Sequence, residues 1–177
     1  MTPFAEICTY FHFIMIYSTR GIVLRQVKYG ETSIVATIYT EIFGIQSYLV
    51  NGVRTQSKTS KAALFQPSSL LDMQVYHNEL KNLQRIKELK WSVLYHNILS
   101  DVTRNSVALY MVEVLHKCLK QQEAYADLFH FCEDAFIQLD GSNDEVAANF
   151  PLYFSIQLAQ FFGIQLQDNY SEKRNIF

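Results

Sequence analysis

The stretch "GETSIVATIYTEIFG", Gly30–Gly44, decides the fold. Ile34, Ala36 and Ile38 alternate with Val35, Thr37 and Tyr39, the two-residue period of a half-buried strand. The alternation breaks at Thr40-Glu41-Ile42-Phe43-Gly44, a turn. Working outward, Ser18 to Lys28 reads as a preceding strand closed by Tyr29-Gly30, and Ile45 to Val50 as a following one ended by Asn51-Gly52. Leu70 to Tyr76 alternates again, Asn78-Glu79 turns, and Leu80 to Leu89 is the last strand expected. Five short strands within residues 16–90 predict a closed barrel, because closure removes exposed strand edges. An OB-fold is the leading form and an SH3-like barrel the alternative.

The period changes after Trp91. Val93, Leu94, Ile98 and Leu99, then Val107 to Leu119, recur as in a helix. "AYADLFHFCEDAFIQLD" predicts another, stopped by Gly141. A last helix is expected to open at Asn149-Phe150-Pro151, with Asn149 as its cap, and to stop at Gly163. The expected fold class is therefore α+β: a five-stranded OB-fold barrel over 16–90, then an α-helical bundle over 91–177. Residues 1–15, "MTPFAEICTYFHFIM", lack the basic start and small-residue cleavage site of a secretion signal. They read as an upstream extension, with Met15 opening the domain. Without a spanning segment the expected location is the cytoplasm.

Apolar residues make up 49% of the 177 and charged residues 18%, enough for real cores. The halves differ in charge. Residues 16–90 carry ten Lys/Arg against five acids, net +5; residues 91–177 carry five against eleven, net −6. Such asymmetry points to a basic binding face on the barrel and a different partner for the helices.

The chemistry of enzymes finds no footing. There is no GxSxG, phosphate-cradling glycine loop or HExxH motif. Cys8, Cys118 and Cys132 lie far apart, so neither metal nor cofactor is expected. Glu133-Asp134 and Asp144-Glu145 read as solvated carboxylates, the second pair in an acidic loop. What carries chemistry is basic. Arg25, Lys28, Arg54, Lys58, Lys61, Lys81 and Arg85 are candidate phosphate contacts, and Tyr48 a ring on which a base stacks; Tyr29 and Phe43 lie nearby. Residues 54–61 hold three cations and four hydroxyls with no acid.

Gly21-Ile22-Val23-Leu24, Glu31-Thr32-Ser33, Thr40-Glu41 with Gly44, Val50, Gly52 and Arg54, then a Ser/Lys-rich loop and Phe65-Gln66-Pro67, resemble the N-terminal part of the RecO family of DNA repair proteins. The resemblance implies a non-enzymatic recombination mediator. Such a protein binds single- and double-stranded DNA, anneals strands, contacts the acidic C-terminal tail of the single-strand-binding protein SSB, and works with RecR to load RecA. It places DNA contacts at Arg54 and, less directly, Lys58 and Lys61. Family chains run longer and often carry a four-cysteine zinc motif, so a missing C-terminal part is expected here. Pro151-Leu152-Tyr153-Phe154 replaces the basic helix start of many members. For the SSB tail the candidates are Lys117 and Lys120, three residues apart, beside Leu119 and Phe129; Arg104 is a further cation of that half. A protein-interaction adaptor with a scaffold barrel, and an RNA-binding barrel, remain alternatives.

Overall fold

The computed structural model describes residues 15–53, 61–119 and 123–165. Its strands are β1 (Ile16–Tyr29), β2 (Ser33–Thr40), β3 (Gly44–Val50), β4 (Leu70–Tyr76) and β5 (Leu83–Val93). They close in the order β1-β2-β3-β5-β4, and β4 returns to pair with β1. Every pairing is antiparallel except β3 with β5. This is the five-stranded Greek-key barrel of an OB-fold. Three helices follow: α1 (Val102–Cys118), α2 (Ala126–Gly141) and α3 (Asp144–Phe161).

Alternation along the strands sorts side chains into two cores. Val23, Ile34, Ala36, Ile38, Tyr48, Leu71, Met73 and Val75 fill the barrel, plugged by Phe65 from a short 3-10 helix, Lys61–Phe65. Ile22, Leu24 and Tyr39 point outward instead, into a second core with Met111, Leu115, Phe129, Phe136 and Phe154 of the helices. Gly21 stands where strands crowd: a Cβ there would lie 2.6 Å from both Ile38 Cγ2 and Met73 Cε. The turn after β2 is closed by Thr40, whose Oγ1 donates to the Gly44 carbonyl at 2.8 Å and accepts from the Phe43 N–H at 3.2 Å. Gly44 has φ +63°, a conformation that glycine takes without steric cost.

Three boundaries differ from the sequence reading. The last strand starts at Leu83 and runs to Val93; Leu80, placed in it by apolar character, is 82% exposed in the β4–β5 loop. Residues 94–101 are not helical. They form a linker held by Asp140, whose carboxylate accepts the backbone N–H groups of His96, Asn97 and Ile98 at 2.8–2.9 Å. The first helix starts instead at Val102, where Asp101 caps by accepting from the Arg104 N–H. The last helix opens one and a half turns before Asn149. Asn143 caps it by accepting from Val146 N–H, and Asp144 and Glu145 occupy its first turn rather than a loop. Pro151 lies inside it. An interior proline costs a helix about 3 kcal/mol, here offset by burial of Ala147 and Phe150 on one side of it and Phe154 and Leu158 on the other.

Asp140 joins the linker to the helices. Burial pushes its pKa up, but the three backbone donors outweigh this and hold the carboxyl below its ordinary range. A depressed folded-state pKa supplies stability that is present above the ordinary carboxylate range and lost as pH falls through the lowered value. Asp140→Ala should therefore lower unfolding free energy at neutral pH by about 3 kcal/mol, as expected when charged-acceptor bonds to buried donors are lost. Denaturant titrations should show the gap from wild type narrowing below about pH 4.

Candidate nucleic-acid interface

Helix docking covers only part of the barrel's outer wall. Beyond Ile22, Leu24 and Tyr39, β1 is irregular between Val23 and Arg25, and the wall beyond emerges from under the helices. Register defines the open part. Arg25 pairs with Thr37, Thr37 with Ser47, and Ser47 with Leu83; one step along, Val27 pairs with Val35, Val35 with Leu49, and Leu49 with Arg85. Partners in a ladder share a face. Opposite them Ala36, Tyr48 and Gln84 are buried. The open face thus carries arginines on its two outer strands, two hydroxyls and a band of aliphatic carbon, without an acid in those two rows. Three strand spacings of 4.7–4.9 Å, a path of about 14 Å along the curved wall, separate the strand of Arg25 from that of Arg85.

The sequence candidates distribute unevenly around this face. Arg25 and Arg85 lie on it, and Tyr29 is exposed at its β1 end; Lys28, also exposed, pairs with the inward Ile34 and so lies on the other side of β1. Lys81 sits in the β4–β5 loop and lines a groove of about 790 Å³ with Arg85. Lys61 faces elsewhere, on a groove of about 760 Å³ shared with Lys87, Lys90, Asp72 and Glu88, where the charges are mixed. Arg54 and Lys58 fall outside the described residues. Tyr48 is not a stacking platform. It is 0% exposed inside the barrel, burial drives its hydroxyl pKa upward, and that hydroxyl has no hydrogen-bond partner among the described residues.

Among the described residues, the helical candidates do not share one surface site. Phe129 is fully buried, its ring 5.5 Å from that of Tyr39 and 5.6 Å from the Arg20 guanidinium carbon. Leu119 packs against the second core, and Lys117 pairs with Glu113 one turn back. Lys120 is outside the described residues. Arg104 is no free cation: it is buried, bound to Asp101 and Asp144, and donates to the Ser142 carbonyl.

Sequence reasoning missed a polar cluster where barrel meets helices. Arg20 of β1 donates to both carboxylate oxygens of Glu41, at 3.1 and 2.9 Å, and its other Nη binds Glu133 of α2. His130 Nε2 lies 3.0 Å from Glu41 Oε1. The hydrogen bond to Arg20 holds Glu41 below the ordinary carboxylate range, while burial pushes Glu133 up. Glu133 is 7% exposed, not solvated. A signal existed: it falls four residues after Phe129 and three before Phe136, on the buried stripe of its helix.

Two family models match this architecture half by half. Recombination protein O N terminal matches residues 15–95 and Recombination protein O C terminal matches 99–171. The chain belongs to the RecO family. A Bacteroides fragilis protein named DNA repair protein RecO is 33% identical over 150 residues, covering 85% of this chain and 62% of its own. RecO relatives from Porphyromonas gingivalis and Flavobacterium psychrophilum are 32% and 31% identical, over 85% and 82% of this chain. This chain spans about 60% of the length of these relatives. A solved structure, the asparaginyl-tRNA synthetase of Entamoeba histolytica, overlaps 59% of this chain and 34% of its own at 12% identity, with a TM-score of 0.36, too distant to inform fold or function. The family boundary at 95–99 coincides with the end of β5 and the Asp140-bound linker. Among the described residues no helix is long and apolar enough to cross a membrane.

The placement of Tyr48 has a direct consequence. Tyr48→Phe removes a buried hydroxyl that has no partner, so the melting temperature should stay the same or rise. Affinity for single-stranded DNA, measured by fluorescence anisotropy, should not change.

Proposed function

We propose that this chain is a DNA-binding module of recombinational repair, acting by holding strands rather than by catalysis. The observation that carries this reading is the open face between Arg25 and Arg85. Cations at both margins can each engage a phosphate and release counterions, and aliphatic carbon between them can lie under sugars and bases. The net charge of 16–90, +5, favours phosphate on the barrel, while −6 on 91–177 disfavours it on the helices. Membership of a family whose relatives are named DNA repair proteins supports the same reading. Single- and double-stranded DNA are the ligands proposed. Strand annealing, engagement of the SSB tail, and RecA loading together with RecR are finer proposals that rest on the family resemblance. The SSB tail, being acidic, needs a local basic exception on the helices, and Lys117 with Lys120 is the pair to test.

The test is a titration of labelled single-stranded DNA at low and physiological salt. Wild type should weaken steeply with salt. Arg25→Glu combined with Arg85→Glu should weaken binding at least ten-fold at low salt. It should also flatten the log–log salt slope by about 1.4, since each single-strand phosphate contact contributes ~0.7. Unchanged affinity with an unchanged melting curve would remove this face from the account. Absence of DNA binding, with a protein partner bound at an apolar groove independently of salt, would favour an adaptor, and preference for RNA of equal length an RNA-binding barrel.

A further inference from the structure

With Tyr48 inside the barrel, the open sheet face carries one ring of its own, Tyr29, exposed at the end of β1 on the side of Arg25 and Val27. Further rings lie at its margin. The Phe43 side chain, in the β2–β3 turn, and the His77 imidazole, at the start of the β4–β5 loop, stack at a centroid distance of 3.8 Å with planes 12° apart. Tyr17 meets Phe43 edge-on at 5.2 Å. Two cavities flank the pair and share His77, Glu79, Lys81 and Gln84. One, of about 280 Å³, is bordered by Phe43; the other, of about 790 Å³, is bordered by Tyr17, Leu83 and Arg85. Leu83 and Arg85 also belong to the open sheet face, so cavity and face are continuous. Two cations, Lys81 and Arg85, therefore stand beside a stacked ring pair, with Glu79 the acid among them. His77 Nδ1 is buried without a hydrogen-bond partner among the described residues. Burial lowers the His77 pKa, with Glu79 opposing, so its ring is neutral at neutral pH.

We propose that the cleft between the β2–β3 turn and the β4–β5 loop holds an unstacked base of single-stranded DNA against the Phe43–His77 pair, with Lys81 and Arg85 on the neighbouring phosphates. The inference rests on the DNA-binding reading above and adds a base site to it. Rings bind the π-face of any base, so this site gives affinity without sequence preference. It also distinguishes single strands from duplex, where every base is already stacked.

The experiment compares two ligands of equal charge, a deoxythymidine oligomer of about 12 nucleotides, within the span one OB-fold engages, and an abasic oligomer of the same length. Wild type should bind the abasic strand at least five-fold more weakly. His77→Ala should bring that ratio close to one, and His77→Phe, which keeps a ring, should preserve it. If either variant folds poorly, photo-crosslinking of wild type to an iodouracil-containing strand decides, with adducts expected on the peptides that carry Phe43 or His77. Equal affinity for thymidine and abasic strands, or adducts confined to other segments while DNA still binds, would overturn the base site and leave the DNA-binding reading standing. Failure of wild type to bind either strand would overturn both.

Discussion

One guanidinium ties the parts of this molecule together. Arg20 leaves β1, grips Glu41 in the turn after β2, and reaches Glu133 on α2. One positive charge is thereby shared between two carboxylates, one largely buried. Burial disfavours the charged form of Glu133, and Glu41 beside it adds to that, while Arg20 acts against both. Such a pair contributes little net stability compared with apolar packing, but removing one partner leaves a buried charge without compensation, at a cost of about 3–5 kcal/mol. Its value is in orientation. A bidentate Arg–carboxylate pair fixes angles as well as distance, so the turn, the strand and the helix have one way to fit.

That fit determines what the barrel presents to solvent. With α2 docked over Arg20, Phe129 lands on Tyr39, and the outer side chains Ile22 and Leu24 are buried. The irregularity after Val23 then carries β1 past the helices, exposing Arg25 and Val27. Apolar strand residues serve two different surfaces, one packed and one open, within a single 14-residue strand. The Asp140 knot acts at the other junction, holding residues 96–98 so that the chain leaves β5 and enters α1 in a fixed direction. Charge follows the same division, basic on the barrel and acidic on the helices.

Much of this was legible in the sequence. Ile34, Ala36 and Ile38 announced that they share one face, and Thr40 to Gly44 a turn, because both depend on local geometry; that this face is the inward one is set by closure of the barrel. Tyr48 was misread because its strand is ambiguous: Ile45, Ser47 and Leu49 on one side and Gln46, Tyr48 and Val50 on the other are equally mixed in polarity. Only the register with Ala36 shows that Tyr48 points inward. Residues 94–101 imitated a helix because Leu94, Ile98 and Leu99 are apolar, yet their backbone donors are claimed by an aspartate about 40 residues away. Arg20 and Glu133 are 113 residues apart, and no local period reports their meeting. The Phe43–His77 stack likewise joins two loops distant in sequence.

The central claim is that nucleic acid lies on the part of the barrel the helices leave uncovered. Amide hydrogen exchange with and without single-stranded DNA tests it without any mutation. The account predicts slower exchange in β2, β3, the start of β5 and the β4–β5 loop, with α1, α2 and α3 unchanged. Protection confined to the helices, with the barrel exchanging as it does alone, would contradict it.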